Sequence, residues 1–268
     1  MNGWGRTLRG AAALFGFALA AVVVQTGVAS AAPGTFGAVN CKGGSVAPGT
    51  YASLKVTGIC AVDSGNVHVT GDVTVATGGG LNAGFGHSNI TIGGDLVVRW
   101  NGLLVLGCEP NFFVCENDPD QVVGTYVSND RVAGSLLSTG ALLVVVHHSH
   151  IGSVVQSGGG GGAVCTVFPL GPSGPPAYTD YEDNVIRGDA SVVGVHTCWS
   201  GFIRNWVGGS VTYSSNKLGD PDANEVVTNL VKHNLVCTGN SPKVQVGDST
   251  GGPNVVGGKA LGQCAHIT

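Results

Sequence analysis

The stretch Val69-Thr70-Gly71-Asp72-Val73-Thr74-Val75 is followed 23 residues later by Ile92-Gly93-Gly94-Asp95-Leu96-Val97-Val98. In both stretches apolar residues alternate with small or polar ones, which is the two-residue period of a strand with one buried face. The same offset carries Leu81 onto Leu104 in the apolar segment that follows. A constant offset across successive segments predicts that equivalent strands stack in register, one turn of the chain upon the next.

The short phrase centred on Gly71 and Gly94 recurs along the rest of the chain. Further copies are centred on positions 134, 153, 188, 209, 233 and 258, which makes eight copies in all. Five of the seven gaps between centres fall between 19 and 25 residues, and the other two are 40 and 35. A period of about 22 residues with alternating Val, Ile and Leu is typical of a parallel β-helix. Each long gap equals one coil with an inserted loop.

We therefore predict an all-β protein folded as a parallel β-helix, a solenoid of about eight to nine coils. Residues 64–268 form this domain, with inserted loops near 107–130 and 158–183. Residues 32–63 are interpreted as an N-terminal cap that protects the first coil from edge pairing. A β-sandwich or jelly roll remains the alternative fold, although it does not explain the constant offset. Helices have little support, because glycine and proline interrupt every long segment.

The N-terminal segment, residues 1–31, has the three-part layout of a secretory signal peptide. Arg6 and Arg9 supply the positive region, residues 11–24 form an apolar run, and Ala29-Ser30-Ala31 offers small residues before the cleavage position. The apolar run is shorter than the roughly 20 residues that a bilayer requires, and an uncleaved membrane anchor remains the alternative. We expect a secreted, extracellular product.

Charged residues are sparse in the predicted mature chain. The full chain has 12 basic and 16 acidic residues, and removal of Arg6 and Arg9 leaves 10 basic residues and a net charge of −6. Lys and Arg form no stripe of the kind that nucleic-acid binding requires, so we expect no nucleic-acid partner. We also expect no membrane partner after signal cleavage. The partners that we expect are a cell-wall or extracellular polysaccharide, or a second copy of the chain.

All eight cysteines lie in the predicted mature chain, and no CxxC pair is present. In an exported protein an even number of cysteines predicts disulfides, four in this chain, rather than a metal site. Eight cysteines allow on the order of a hundred connectivities. We favour pairing between neighbours, because short loops close easily and a solenoid keeps sequence neighbours close in space. The predicted pairs are Cys41–Cys60, Cys108–Cys115, Cys165–Cys198 and Cys237–Cys264.

Three segments between the phrases add to this picture. They are Gly107-Cys108-Glu109-Pro110, Glu182-Asp183-Asn184 and Asp220-Pro221-Asp222-Ala223-Asn224-Glu225-Val226-Val227. With the phrases and the signal peptide, they resemble a group of uncharacterised exported Gly/Val-rich β-helix proteins of high-GC Gram-positive bacteria. The resemblance covers nearly the whole mature chain and implies a right-handed β-helix without a known activity. A more distant resemblance, to polymer-forming bactofilin-like solenoids, rests on the Gly/Val phrases alone, and the export signal and the cysteines depart from it.

Acid–base cleavage of a polysaccharide requires two carboxylates that face one bond. Asp72 and Asp95 occupy equivalent places after a corner glycine, but other copies carry Ser, Asn or Lys there, so we interpret this position as a polar turn. The alternative function is a polysaccharide lyase or glycoside hydrolase of the β-helix type. Its groove would draw on Asp183, Arg187, Asp189, His196 and Arg204. Enzyme activity stays an open question, and we favour its absence.

Two acidic segments alternate oxygen donors as calcium-binding loops do. One runs from Glu116 to Asp120. The other contains Asp220, Asp222, Asn224 and Glu225. We favour a polar turn over a structural Ca²⁺ site for both, and we expect no other cofactor. His147-His148-Ser149-His150 offers imidazoles, but no cysteine or carboxylate motif completes a ligand set, so we interpret it as an exposed strand end.

Scattered aromatic side chains offer one route to a glycan, because an exposed ring can stack on a sugar. Aromatic residues more often pack under loops, which is the interpretation that we favour here. The residues concerned are Trp100, Tyr178, Tyr181, Trp199 and Trp206. The sequence therefore leads us to expect an extracellular surface, matrix or interaction protein without catalytic activity.

Overall fold

The computed structural model describes residues 35–84, 88–108, 128–247 and 251–268. This part of the chain contains 26 β-strands and one short 3₁₀ helix, Gln263–His266. Every strand pairing within it is parallel. The prediction of an all-β protein with stacked parallel strands is confirmed, and the long parallel sheets are consistent with a solenoid. The predicted signal peptide lies outside the described residues.

The strands are short and follow one another closely along the chain. The first thirteen are β1 (Thr35–Cys41), β2 (Gly44–Ser45), β3 (Gly49–Val56), β4 (Ile59–Ala61), β5 (Val67–Val69), β6 (Val73–Val75), β7 (Gly80–Ala83), β8 (Ile90–Ile92), β9 (Leu96–Val98), β10 (Leu103–Leu106), β11 (Arg131–Thr139), β12 (Leu143–His147) and β13 (His150–Ser157). The others are β14 (Tyr178–Glu182), β15 (Val185–Ile186), β16 (Ala190–Val193), β17 (His196–Thr197), β18 (Trp199–Ile203), β19 (Trp206–Val207), β20 (Val211–Ser214), β21 (Lys217–Leu218), β22 (Glu225–Val227), β23 (Leu230–Val231), β24 (Leu235–Thr238), β25 (Val255–Val256) and β26 (Ala260–Gly262).

Three sheets collect these strands. The largest has 16 strands, and eleven of them follow one path, β25-β23-β19-β15-β13-β11-β8-β5-β3-β6-β9. The second has eight strands in the order β2-β4-β7-β10-β12-β14-β18-β22, and the third pairs β17 with β21. The chain visits the sheets in turn, so strands that pair in one sheet are separated in sequence by strands of the others.

The alternating valines decide which side chains enter the core. Val73 and Val75 are fully buried and lie opposite Leu96 and Val98, while the residues between them point outward. In the eight-stranded sheet Leu81 lies opposite Leu104. The offset of 23 residues seen in the sequence is therefore the pairing register at these positions. Branched apolar side chains pack against their counterparts in the neighbouring strand, which is the main stabilising contact of a stacked sheet.

Buried asparagines form a column at the corners after β14, β18 and β22 and directly before β25. Its members are Asn184, Asn205, Asn229 and Asn254, each at most 4% exposed. The side-chain oxygen of Asn205 accepts a hydrogen bond from the backbone N–H of Asn184, and the same link joins Asn229 to Asn205 and Asn254 to Asn229. Each amide nitrogen donates to a backbone carbonyl near the previous corner. The column thus satisfies buried backbone groups at a corner where strand pairing stops.

Strands form both in the segment interpreted as a cap and in the segment expected as the second inserted loop. Strands β1 to β4 lie in the segment interpreted as a cap, and they pair in parallel with later strands of the two larger sheets. The second inserted loop was expected over residues 158–183, but Tyr178–Glu182 forms β14 of the eight-stranded sheet. A strand starts there because Thr179 and Tyr181 supply inward side chains after the Gly/Pro-rich stretch. Most of the first insertion, residues 109–127, lies outside the described residues.

Disulfides join cysteines that are neighbours in the sequence. Cys41 is bonded to Cys60, Cys165 to Cys198, and Cys237 to Cys264. Cys108 is also disulfide-bonded, and its predicted partner Cys115 lies outside the described residues. No helix within the described ranges has the length and apolar character needed to cross a bilayer.

Candidate functional site

A buried cluster of ionisable side chains lies where β12 and β14 end, on the face of the eight-stranded sheet opposite the main core. Val144 and Val146 of β12 belong to the main core, so His147 projects from the other face. On β14 the core residue is Tyr181, and its neighbours Asp180 and Glu182 share the face of His147. His147 and Glu182 are register partners on adjacent strands.

The three side chains are close enough to act together. The Nε2 atom of His147 lies 3.0 Å from Oδ2 of Asp180. One ligand atom from each of His147, Asp180 and Glu182 lies within 4.8 Å of the other two, and all three residues are buried. The interpretation of His147 as part of an exposed strand end is therefore wrong, since this side chain is only 6% exposed. His150, three residues later, is exposed.

Arg204 joins this cluster from the corner that follows β18. Its guanidinium donates to both carboxylate oxygens of Asp183, from Nε at 2.9 Å and from Nη2 at 2.7 Å. The same Nη2 atom donates to Oε2 of Glu182 at 2.7 Å. His148 completes the group, with Nε2 at 3.9 Å from Oδ2 of Asp183. Charge-assisted bonds of this geometry hold both carboxylates in fixed positions.

Among the described side chains of the cluster, three carboxylates lie beside one guanidinium and two imidazoles. These side chains are mostly buried, and buried charges are stable only beside close partners of this kind.

The residues predicted for an enzyme groove are distributed over several places. The structure brings Asp183 and Arg204 together, as described above. Asp189 lies at the corner before β16, where its Oδ1 accepts a hydrogen bond from the N–H of Ser210. Arg187 donates to the carbonyl of Ala133. His196 is exposed in the two-stranded sheet.

The repeated corner aspartates act as turn residues in the structure. Oδ1 of Asp72 accepts the backbone N–H of Asp95 at 2.8 Å, and Oδ1 of Asp95 accepts that of Ser135 at 2.7 Å. Asp189 does the same for the next pair of strands, as noted above. Each carboxylate therefore links one corner to the next, which is the polar-turn role that the sequence suggested.

The acidic segment proposed for calcium divides between surface and interior. Oδ1 of Asp220 accepts the N–H of Asp222, which is exposed. Asn224 and Glu225 are buried, and Oδ1 of Asn224 accepts a hydrogen bond from the Tyr213 hydroxyl. The Asn224 oxygen is thus directed into the core and away from the exposed carboxylate. The second candidate, Glu116 to Asp120, lies outside the described residues.

One buried acid was not noticed in the sequence. Asp130 is fully buried, and its Oδ1 accepts the backbone N–H of Ile90 at 2.7 Å. No hydrogen bond of Oδ2 is formed within the described ranges. Burial raises the pKa of Asp130 to about 7, against the opposing effect of the N–H groups of Ile90 and Gly107. Asp130, Ser149 and Asn184 directly precede β11, β13 and β15, and the register of these strands aligns the three residues. Asp130 is therefore in line with the asparagine column.

An exposed strip runs along the 16-stranded sheet and is the second candidate site. Nine consecutive strands, from β3 to β25, each contribute one outward residue, and each residue is the register partner of the next. All nine are exposed or half-buried. The exposed strip consists of Thr50, His68, Thr91, Arg131, His150, Val185, Trp206, Leu230 and Val255.

Comparison with known proteins gives no relative for this chain: no family model, no curated protein and no solved structure matches it. The candidate sites are therefore the two that its own side chains build. They are the buried His147 cluster and the exposed strip.

Proposed function

We propose that the protein is a secreted, disulfide-stabilised β-solenoid that binds an extracellular polysaccharide along the exposed strip and catalyses no reaction. In this proposal the fold is a right-handed parallel β-helix of about eight to nine coils with a period of about 22 residues. Three disulfides within the described residues are compatible with an oxidising, extracellular setting. The protein would act as a surface or matrix component.

The observation that carries the proposal is the unbroken register of the exposed strip. Parallel strands lie about 4.8 Å apart, so eight spacings extend over roughly 38 Å. Side chains repeat along this line at a constant interval on a rigid sheet. A polysaccharide is itself a periodic chain, and a periodic surface can contact successive sugars in the same way.

The chemistry of the exposed strip also suits a glycan. Its first half borders a groove of about 460 Å³ that is lined by His68, Arg131 and the amide side chains of Asn66, Asn89 and Asn129. These groups donate hydrogen bonds to hydroxyl and carboxylate oxygens. The second half is apolar and includes Trp206, which is 40% exposed.

Positive charge on this face favours an acidic glycan. The pKa of His150 is lowered, first by partial burial and then by the charges of Arg131 and Arg187. Two guanidinium groups therefore act on the same short stretch of the surface. A glycan that carries carboxylates would lie next to Arg131 and would place sugar faces on Trp206.

We expect Arg131→Ala and Trp206→Ala each to weaken binding of an acidic polysaccharide by roughly tenfold, the effect of about 1.4 kcal/mol. Co-sedimentation with insoluble wall material, and titration with soluble acidic and neutral polysaccharides, would measure the dissociation constants. Arg99→Ala and Trp100→Ala are matched controls, because both residues are exposed and lie outside the exposed strip. They should bind as the unaltered protein does.

Two results would contradict the proposal. If the strip variants bind as tightly as the controls, the exposed strip is not the contact surface. If the unaltered protein releases reducing or unsaturated sugar ends, it is a polysaccharide-active enzyme and not a binding protein.

A further inference from the structure

The buried His147 cluster has the arrangement of a metal site. His147 and Glu182 face each other across adjacent strands, and Asp180 lies two residues before Glu182 on the same face. The 3.0 Å between Nε2 of His147 and Oδ2 of Asp180 is close to the separation of two ligands on one ion. Bonds of about 2.0–2.1 Å in tetrahedral geometry place ligand atoms roughly 3.3 Å apart.

Arg204 would orient one of the ligands. It donates to Oε2 of Glu182 at 2.7 Å while both oxygens of Asp183 hold its guanidinium. Second partners of this kind fix the direction of a metal-binding carboxylate. Glu182 is therefore held in place before any ion arrives.

We propose that His147, Asp180 and Glu182 bind one divalent transition-metal ion of the zinc class. One imidazole nitrogen with two carboxylates favours Zn²⁺ or Co²⁺ over Ca²⁺, which prefers a larger set of oxygen ligands. The ion would tie β12 to β14, which are adjacent strands of the eight-stranded sheet. This proposal does not depend on glycan binding by the exposed strip, which lies on another sheet.

The test uses the untagged full chain with its disulfides intact. The protein is treated with a chelator, dialysed, and then titrated with Zn²⁺, Co²⁺ or Ca²⁺. We expect one equivalent of Zn²⁺ per chain by elemental analysis, a visible Co²⁺ spectrum, and no saturable Ca²⁺ binding at this site. Zn²⁺ at a hundredfold excess over its dissociation constant should raise Tm by about 5–10 °C.

His147→Ala should weaken Zn²⁺ binding by on the order of 100-fold or more, since a direct ligand is lost. His233→Ala is the matched control, because this histidine is exposed and lies outside both candidate sites, and it should bind Zn²⁺ as the unaltered chain does. If His147→Ala does not fold, as judged by circular dichroism, the titration of the unaltered chain still decides. Less than a tenth of an equivalent of Zn²⁺ on that chain, or binding that is lost in His233→Ala and kept in His147→Ala, would overturn the proposal.

Discussion

Replacement of Asp130 by asparagine is expected to raise the free energy of unfolding at pH 8 by about 2–4 kcal/mol. Asp130 is fully buried and is charged at this pH in the native state, which is costly because its pKa is raised to about 7 by burial. Asparagine keeps the oxygen that accepts the N–H of Ile90. It also removes the charge and matches the asparagine column with which Asp130 is in register.

The gain should depend on pH in a defined direction. The pKa of Asp130 is about 7 in the folded chain and 3.8 as a model value, so the folded state holds its proton more tightly. Below about pH 4 the acid is neutral in both states and imposes no penalty. Between about pH 4 and pH 7 the unfolded chain ionises first, and the unaltered protein loses stability relative to the variant. Above that range the difference is constant.

Urea unfolding at a series of pH values, with the disulfides intact, would measure this difference. Asp72→Asn is the matched control, because Oδ1 of Asp72 also accepts a backbone N–H, at 2.8 Å, but the side chain is exposed. Its effect on the free energy of unfolding at pH 8 should be small, because water reaches the side chain. A gain in Asp130→Asn that is equal at pH 4 and pH 8 would refute a buried, charged Asp130.

Asn205→Ala is expected to lower the free energy of unfolding by about 3–5 kcal/mol. The Asn205 side chain accepts hydrogen bonds from the backbone and side-chain nitrogens of Asn184 and donates to the carbonyl of Tyr181 and to Oδ1 of Asn229. Alanine removes all of these bonds in a buried place. The N–H of Asn184 and the carbonyl of Tyr181 would lose their partner, at about 1–3 kcal/mol each.

Chemical denaturation with Asn40→Ala as the control would isolate this effect. Asn40 is exposed and accepts a hydrogen bond from the Thr57 hydroxyl, so water can replace the missing group. Asn205→Asp adds a second comparison, because it keeps the acceptor and introduces a buried acid, and its loss of stability should grow as pH rises. Substitutions at exposed positions usually change the free energy of unfolding by less than about 1 kcal/mol. If the free energy of unfolding of Asn205→Ala lies within about 1 kcal/mol of that of Asn40→Ala, the column contributes little to stability.

The stacked strands could be predicted because the apolar residues repeat at the same offset as the strands pair. Val73 and Val75 align with Leu96 and Val98 in the sequence and lie opposite them in the structure. Every inward position must be apolar, so the pattern repeats wherever the pairing repeats. The handedness has no such signal in the side chains.

The buried cluster was missed because its strand begins in an unexpected place. Asp180 and Glu182 follow a Gly/Pro-rich stretch and alternate with Thr179 and Tyr181, so the segment resembles a polar loop. Alignment of Tyr181 with Val146 would have shown a strand, but it requires an offset of 35 residues. That offset equals the gap between the phrases centred on positions 153 and 188, so the gap indicates the pairing of β12 with β14.

The asparagine column had an even weaker signal in the sequence. Four corners contribute one asparagine each, and an asparagine in an exposed turn looks the same. Burial there depends on the stacked corners above and below, which no single corner reveals. Asp130 was missed for the same reason, since it follows a long inserted segment and stands alone in the sequence.

Two of the disulfides lie at opposite ends of the stack of strands. Cys41–Cys60 connects β1 with β4, and Cys237–Cys264 connects β24 with the final 3₁₀ helix. Terminal strands of a stack have a neighbour on one side only, so fraying starts there and an open edge can recruit another chain. The two bonds therefore act where opening begins. Reduction of these two bonds is expected to expose the terminal strands first, and with them the edges that proteases and added strands attack.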